Sequence, residues 1–366
     1  MFPERPNLPS GARVLVAMSG GVDSSVTAAL LKEQGFEVVG VSMRLLDEGA
    51  LGLSAASGCC GGRDLADARR VAERLGIGHY VLDFAQRFEE GVIRPFARAY
   101  AQALTPSPCI DCNRTVKFRD LLQVADEMGA RALATGHYAR IVAGAQGPEL
   151  HRGADPAKDQ SYFLFATTRA QLARLLFPLG DLTKDEVRAQ AQRLGLAVAA
   201  KPDSQDICFA PEGDHWRLVG RLCPEALEPG EIVDQTGTVL GRHAGLARYT
   251  VGQRKGLGIG GGPPLYVVGL DAERNRVTVG PPGALARTDI DLVAMNWLGE
   301  GEAKTEGEAV AVKLRSTRPP MLARLVRRAD GTAHLRLERP EMGVAPGQAG
   351  VVYRGERLLG GGWIAR

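Results

Sequence analysis

Two hydrophobic periods alternate along the first half of the chain. Val14-Leu15-Val16 is a short unbroken apolar run, Val26 to Gln34 repeats apolar residues at helical spacing before Gly35, and Glu37 to Met43 is apolar again. Strand, helix and strand in that order predict a βαβ unit with parallel strands. The alternation continues: Asp64 to Leu75 predicts a helix closed by Gly76, and His79 to Phe84 a strand. Gln86 to Leu104 and Lys117 to Met128 predict two more helices, and Ala130 to Ala134 a strand that delivers Thr135-Gly136-His137-Tyr138. This spacing predicts a doubly wound α/β parallel sheet, in which ligands sit at the carboxyl ends of strands. Met43, Gly136 and His137 fall at such ends.

Thr183-Lys184-Asp185-Glu186 is a capping box opening a helix to Leu194. Beyond Ala197 the helical period fades into a loop, Lys201 to Cys208, and the first domain is placed at 1–208. Residues 209–283 are rich in glycine and turns, with short strands at Glu231 to Asp234 and Leu265 to Leu270, and predict a small central α+β domain. The run Gly252 to Gly262 reads as a loop rather than a second nucleotide site, because no helix follows it to supply a dipole. Residues 284–366 alternate with period two at Ala309 to Arg315, Met321 to Arg328, Thr332 to Glu338 and Gly350 to Arg354. They predict a C-terminal all-β barrel, with Asp330-Gly331 as a type I′ hairpin turn.

A length of 366 residues fits two or three domains. No apolar run approaches the roughly 18 residues that span a bilayer. The first residues, with Glu4, Arg5 and two early prolines, do not resemble a signal peptide, so a cytoplasmic protein is expected. A net charge of +3 is too small to argue for nucleic acid, but from Lys313 to Arg339 eight Lys or Arg stand against two acids, which reads as a basic face.

The turn after the first strand, Ala17-Met18-Ser19-Gly20-Gly21-Val22-Asp23-Ser24-Ser25, moves the question from fold to chemistry. Two glycines between a strand and a helix N-terminus let backbone N–H groups approach an oxyanion, and the serine hydroxyls add donors. The lysine of a Walker loop is absent. Instead Asp23 stands beside the expected polyphosphate, an arrangement that calls for Mg²⁺ between them. Ser-Gly-Gly-Val-Asp-Ser resembles the loop of the ATP pyrophosphatases, which cleave ATP between the α and β phosphates.

Six cysteines, with Cys59-Cys60 adjacent and Cys109-x-x-Cys112 at close spacing, do not form a secreted disulfide pattern and point to a sulfur, metal or cluster site. Adenylation turns a carbonyl oxygen into a leaving group, and a thiol or persulfide would make the displacing atom sulfur. Several motifs then occur in order. They are the loop Ser19 to Ser24, Thr105 to Asn113 with Lys117-Phe118, Ala134 to Tyr138, Lys158 to Phe163, Ile207-Cys208-Phe209 and Gly252 to Gly258. Together they resemble the bacterial tRNA-specific 2-thiouridylases over nearly the whole chain.

The resemblance implies an N-terminal adenylating domain, a small central domain and a C-terminal β-barrel. It implies that ATP adenylates the C2 oxygen of the wobble uridine, position 34, of the tRNAs for Lys, Glu and Gln, and that sulfur replaces that oxygen. The products are 2-thiouridine, AMP and pyrophosphate, with a cysteine desulfurase or a relay protein as sulfur donor. By position it gives ATP the residues Ala17, Met18, Ser19, Gly20, Gly21, Val22, Asp23, Ser24, Met43 and Gly136. Cys112 matches the nucleophile and Cys208 the persulfide carrier, while Lys158, Asp159, Gln160, His137, Arg315, Ser316 and Gln348 match tRNA contacts. Ser107-Pro108-Cys109 matches the segment that faces the target base.

One departure stands out: the best-known members carry aspartate at the position of Cys109 and asparagine at that of Ser107. Cys109, Cys112 and Cys208 thus offer three thiols, enough to hold a 4Fe-4S cluster with one iron open. Two sulfur routes stay open at this level, a Cys208 persulfide working with Cys112, or a cluster held by all three. Zinc wants four ligands, and only Cys208 is an evident third. Two other readings remain, an amide-forming ATP pyrophosphatase fed by ammonia, and a non-catalytic tRNA-binding relative.

Overall fold

A computed structural model of the chain describes residues 8–46, 62–203, 207–210, 214–260, 262–301 and 307–366. Cys59 and Cys60 lie outside the described residues. The first sheet contains β1 (Arg13–Ala17), β2 (Glu37–Arg44), β3 (Gly78–Asp83), β4 (Ala132–Ala134) and, after the hairpin β5 (Ala139–Gly144) and β6 (Gly147–Arg152), β7 (Leu175–Leu176). Its order is β3-β2-β1-β4-β7 and every pairing is parallel. Val14, Leu15 and Val16 are fully buried, as a central parallel strand covered on both faces requires. The helix Val22–Glu33 buries nine residues, including Ser24, Ser25 and Thr27, so it is a core helix rather than an amphipathic cover.

The helix expected from Gln86 to Leu104 is a continuous helical run, Ala85–Phe88, a π-turn at Glu89–Ile93, then Arg94–Ala101. The helix expected from Lys117 starts earlier, at Pro108–Cys112, and passes through a π-helical stretch Asn113–Asp120 into Leu121–Glu127. Pro108 suits the first helical turn, where its missing N–H costs nothing. The wider π-turn shifts the apolar spacing that a 3.6-residue period would reveal. The capping box at Thr183 and Glu186 forms as expected at the start of Lys184–Arg193.

The central region holds β8 (Gly230–Val233), β9 (Val239–His243), β10 (Tyr266–Asp271) and β11 (Arg276–Gly280) in the order β10-β11-β8-β9, with the helix His215–Leu222 before them. The C-terminal strands are β12 (Ala286–Trp297), β13 (Glu308–Lys313), β14 (Met321–Arg327), β15 (Ala333–Met342), β16 (Ala349–Arg354) and β17 (Arg357–Ile364). They pair in the order β12-β15-β14-β13-β16-β17, and β17 returns to β12, closing a six-stranded antiparallel barrel with no free edge.

The turn at Asp330-Gly331 differs from the expected type I′. Gly331 N donates to Arg328 O and only Gly331 has positive φ, so this is a type I turn followed by a glycine bulge. Asp330 Oδ1 accepts from both N and Oγ1 of Thr332, a local bond that holds Asp330 in the ordinary turn region. The hairpin β5–β6 leaves the first domain and pairs with the barrel through His151 and Arg357, tying the first domain to the third. Among the described residues no helix is long and apolar enough to cross a membrane.

Candidate functional site

The chain turns from β1 into Val22–Glu33 at the carboxyl end of the sheet, with Gly21 as N-cap and no side chain capping the helix. The first N–H groups are therefore left for a ligand. Gly20 has φ +74°, and a Cβ there would come within 2.1 Å of Asp64 O, so only glycine lets the loop pass the helix Gly62–Leu75. Ser19 N donates to Ser24 Oγ, and Ser25 Oγ donates to Gly21 O at 2.8 Å. Ser25 is fully buried, so its hydroxyl shapes the loop rather than facing a ligand, whereas Ser19 is exposed. Met18 is buried in the second core cluster beneath the loop, with Val14, Val16 and Val22.

Gly136 follows β4 and lies directly against the loop: a Cβ on it would stand 2.9 Å from both Asp23 C and Ser24 N. Asp23 itself is held from two sides. Lys184 Nζ lies 2.7 Å from Oδ1 and 2.9 Å from Oδ2, and Tyr138 OH donates to Oδ1 at 2.7 Å. Burial and the Asp23 carboxylate keep the Tyr138 phenol protonated far above its usual range. The same lysine meets Asp203 Oδ1 at 2.8 Å, and Asp203 Oδ2 receives Lys158 Nζ at 2.6 Å. Against the opposing effect of burial, these two ammonium groups hold the Asp203 carboxyl below its ordinary range. Lys201 Nζ bonds Gly20 O, Asp64 and Asp67, which pins the loop to the neighbouring helix.

Tyr138, Lys184, Lys201 and Asp203 are the members of this network to which the sequence reading assigned no role. Lys184 was legible only as the first helical residue after a cap. A buried lysine, 8% exposed, at a helix start is the signal that marks it, since that end of a helix favours anions.

On the sulfur side, Cys112 ends the helix Pro108–Cys112 and is buried, Cys109 is exposed, and Cys208 is half-buried on its loop. Met43, Cys112 and Phe209 belong to one core cluster, and Ile207, Cys208 and Phe163 pack against it. That cluster runs from the first sheet through the central region into the barrel, so the three parts of the chain share one continuous core. Among the described residues no group of three or more His, Cys, Asp or Glu is placed to hold a metal ion. Cys109, Cys112 and Cys208 accordingly do not make a preformed cluster site. A single carboxylate at Asp23 does suit Mg²⁺ carried in on a nucleotide, because that ion takes its other ligands from phosphate and water.

Most side chains expected to touch tRNA are used within the protein. Asp159, with a side chain 1% exposed, accepts from Arg152 Nε and the N–H groups of Gly153 and Ser161, near Lys313 Nζ at 3.9 Å. Gln160 Oε1 accepts from Tyr138 N. His137 lies against Phe118 and Phe177 with Nδ1 2.7 Å from Thr135 Oγ1, and burial, helped by Lys117, pushes its imidazolium form well below neutral pH. Arg315 donates to Gly343 O, and Ser316 is half-buried beside it. Gln348 Nε2 donates to Thr105 O at 2.8 Å while Thr105 N donates to Pro346 O. The barrel thereby grips the irregular segment leading into Ser107, Pro108 and Cys109. The basic run from Lys313 to Arg339 does not form one bare face, since Lys313 faces Asp159, Arg327 pairs with Glu308 and Arg328 with Asp291.

Three family models match the chain in sequence order. They are a tRNA methyl transferase HUP domain over residues 12–212, a tRNA methyl transferase PRC-barrel domain over 219–281 and an aminomethyltransferase beta-barrel domain over 287–364. The chain is 58% identical to the tRNA-specific 2-thiouridylase of Rhodospirillum centenum, over 98% of this chain and 93% of that one. It is 58% identical to the same enzyme of Rhodospirillum rubrum, over 97% of each chain. With that of Paramagnetospirillum magneticum it shares 59%, over 97% of this chain and 96% of the relative. On this identity and full-length coverage, the chain belongs to the tRNA-specific 2-thiouridylase family.

Proposed function

We propose that the protein is a tRNA-uridine 2-sulfurtransferase that adenylates the C2 oxygen of uridine 34 with ATP and replaces it with sulfur. The observation that carries this reading is the full-length identity of 58% to relatives named tRNA-specific 2-thiouridylase, in a chain that has both the glycine loop with Asp23 and the thiols Cys112 and Cys208. The family models are described as methyl transferases, but an aspartate-bearing glycine loop and two thiols are the parts that adenylation and sulfur transfer use. The working division of the chain is 1–208 for ATP, 209–283 for a central tRNA-binding part and 284–366 for the barrel.

ATP lies with its phosphates over Ser19 to Ser24 and its base toward Met43 and Gly136. Bound Mg²⁺ supplies charge neutralisation on the phosphates next to Asp23. Lys184, freed from Asp23 as phosphate arrives, holds charge on the departing pyrophosphate. The uracil O2 attacks the α-phosphorus, the α–β bridge breaks, and pyrophosphate leaves. A sulfur donor, a cysteine desulfurase or a relay protein, loads Cys208 as a persulfide. Its terminal sulfur attacks C2, and the Cys112 thiolate then attacks Cys208 Sγ, breaking the S–S bond and leaving sulfur with its electron pair on the base. AMP departs with O2, giving 2-thiouridine and a Cys112–Cys208 disulfide that a thiol reductant must reopen. The persulfide route is preferred over a cluster because the three thiols differ in exposure and form no ligand group.

A protein whose cysteines must return to the thiol form in each cycle belongs in the reducing cytoplasm. The test is the release of AMP and pyrophosphate from ATP with transcript tRNA for Lys, Glu or Gln. Turnover that ignores tRNA sinks the proposal.

A further inference from the structure

Asn113 follows Cys112 directly and is 3% exposed, the first residue of the π-helical stretch. Its Nδ2 donates to Phe163 O at 3.2 Å. A backbone carbonyl can only accept, so the amide NH₂ is fixed on that side and Oδ1 is turned away from it. Asn113 Oδ1 is buried and has no hydrogen-bond partner among the described residues. A buried acceptor left unpaired is costly, so its persistence beside the reactive thiol calls for a donor that arrives later. Neighbouring Arg114 is exposed and paired with Asp111, whereas Cys112 belongs to the core cluster and Asn113 is buried.

The chemistry at Cys112 specifies that donor. Sulfur is delivered to C2 of the target base, and C2 has two ring neighbours, N1, which carries the sugar, and N3. The N3–H group is the only ring hydrogen-bond donor next to C2 in uracil, and cytosine lacks it. We propose that Asn113 Oδ1 accepts the N3–H of the target uracil and so determines specificity for uridine over cytidine. The assignment rests on the thiolation reading above.

The same bond has a consequence for the reaction. When O2 bonds to the α-phosphorus, the C2–O2 bond becomes single and positive charge spreads over N1, C2 and N3. A proton kept on N3 by Asn113 Oδ1 keeps that charge in the ring, and C2 stays electrophilic until sulfur bonds to it and AMP leaves. The proton then remains on N3 in 2-thiouridine, so the residue holds it without taking it.

The experiment measures binding of the full-length protein to anticodon stem-loop RNA carrying uridine or 3-deazauridine at position 34, which replaces N3–H by C–H and turns the C4 carbonyl into a hydroxyl, a second change that the comparison with the Asn113 variants cancels. Wild type is expected to bind the deaza RNA at least about tenfold more weakly, the worth of one buried hydrogen bond. Asn113→Ala and Asn113→Leu, each checked by thermal melting, are expected to bind both RNAs within about twofold, since neither variant has the acceptor. Equal losses in wild type and in the variants, with wild type still thiolating uridine 34, overturn the assignment alone. Wild type that makes no 2-thiouridine overturns the thiolation reading and the assignment with it.

Discussion

Lys184 Nζ lies within 2.9 Å of both carboxylate oxygens of Asp23, closing a charge pair across 161 residues of sequence. The acid of the glycine loop is thus neutralised by the lysine that opens the helix Lys184–Arg193. Under the proposed function, Asp23 would hold the metal of an incoming Mg²⁺-nucleotide and Lys184 would turn from Asp23 to its phosphate. Lys184→Met leaves Asp23 and Asp203 short of a cation, and is expected to slow tRNA-dependent AMP formation roughly 100-fold or more. Chromatographic assay of AMP checks this, and a rate within twofold of wild type contradicts the exchange.

Gly136→Ala places a methyl group 2.9 Å from the backbone of Asp23 and Ser24, where neither atom can yield without moving the loop. The substitution is expected to cost about 1–3 kcal/mol of stability. It also weakens nucleotide binding by about tenfold for every 1.4 kcal/mol of strain that falls on the loop. Thermal melting with and without ATP reads both effects, and an unchanged ATP-induced shift argues against Gly136 as part of the nucleotide site.

Burial disfavours the imidazolium forms of His137, His79 and His243, and the charges of Lys117, Arg69 and Arg242 add to it. Each folded-state pKa lies below the unfolded value near 6.5, so below about pH 6.5 the unfolded chain binds protons that the folded chain refuses. Stability present above that pH is lost as pH falls. The melting temperature is expected to drop between pH 7.5 and 5.5, and His137→Gln, which cannot protonate, to show a shallower drop. Parallel pH profiles for the two proteins contradict this reading of His137.

Gln348 donates from the barrel to Thr105 O, three residues before the helix that carries Cys109 and Cys112. Gln348→Leu is expected to cost about 1 kcal/mol. It should lower kcat/KM for tRNA while leaving ATP affinity unchanged, because the loop at Ser19 to Ser24 is not touched. Separate titrations with ATP and tRNA check this, and equal damage to both contradicts a local role.

The parallel sheet and the glycine turn after its first strand were readable because their signals are local: Val14-Leu15-Val16 is apolar throughout, and Gly20-Gly21-Val22-Asp23 sits between a strand and a helix. The hairpin β5–β6 and strand β17 were not. β17 contains Gly360-Gly361-Gly362, which carries no strand propensity, and it forms because β12 and β16 pair with it on either side. Tyr138 and Lys184, quoted only within a motif and a capping box, received no role for a related reason, since their meaning lies in Asp23, 115 and 161 residues away. Conversely, Asp159 and Gln160 matched a motif for tRNA, yet their side chains serve internal bonds to Arg152 and Tyr138.

Mass-spectrometric measurement of 2-thiouridine at position 34 in transcript tRNA, given ATP, a persulfide donor and a thiol reductant, tests the assignment of sulfur transfer most directly. Wild type is expected to accumulate 2-thiouridine with one AMP per base. Cys112→Ala and Cys208→Ala should form none, and Cys109→Ala should keep activity, because an exposed thiol outside any ligand group is not needed for the persulfide route. Absence of 2-thiouridine with wild type, or its undiminished formation by Cys208→Ala, would contradict the assignment.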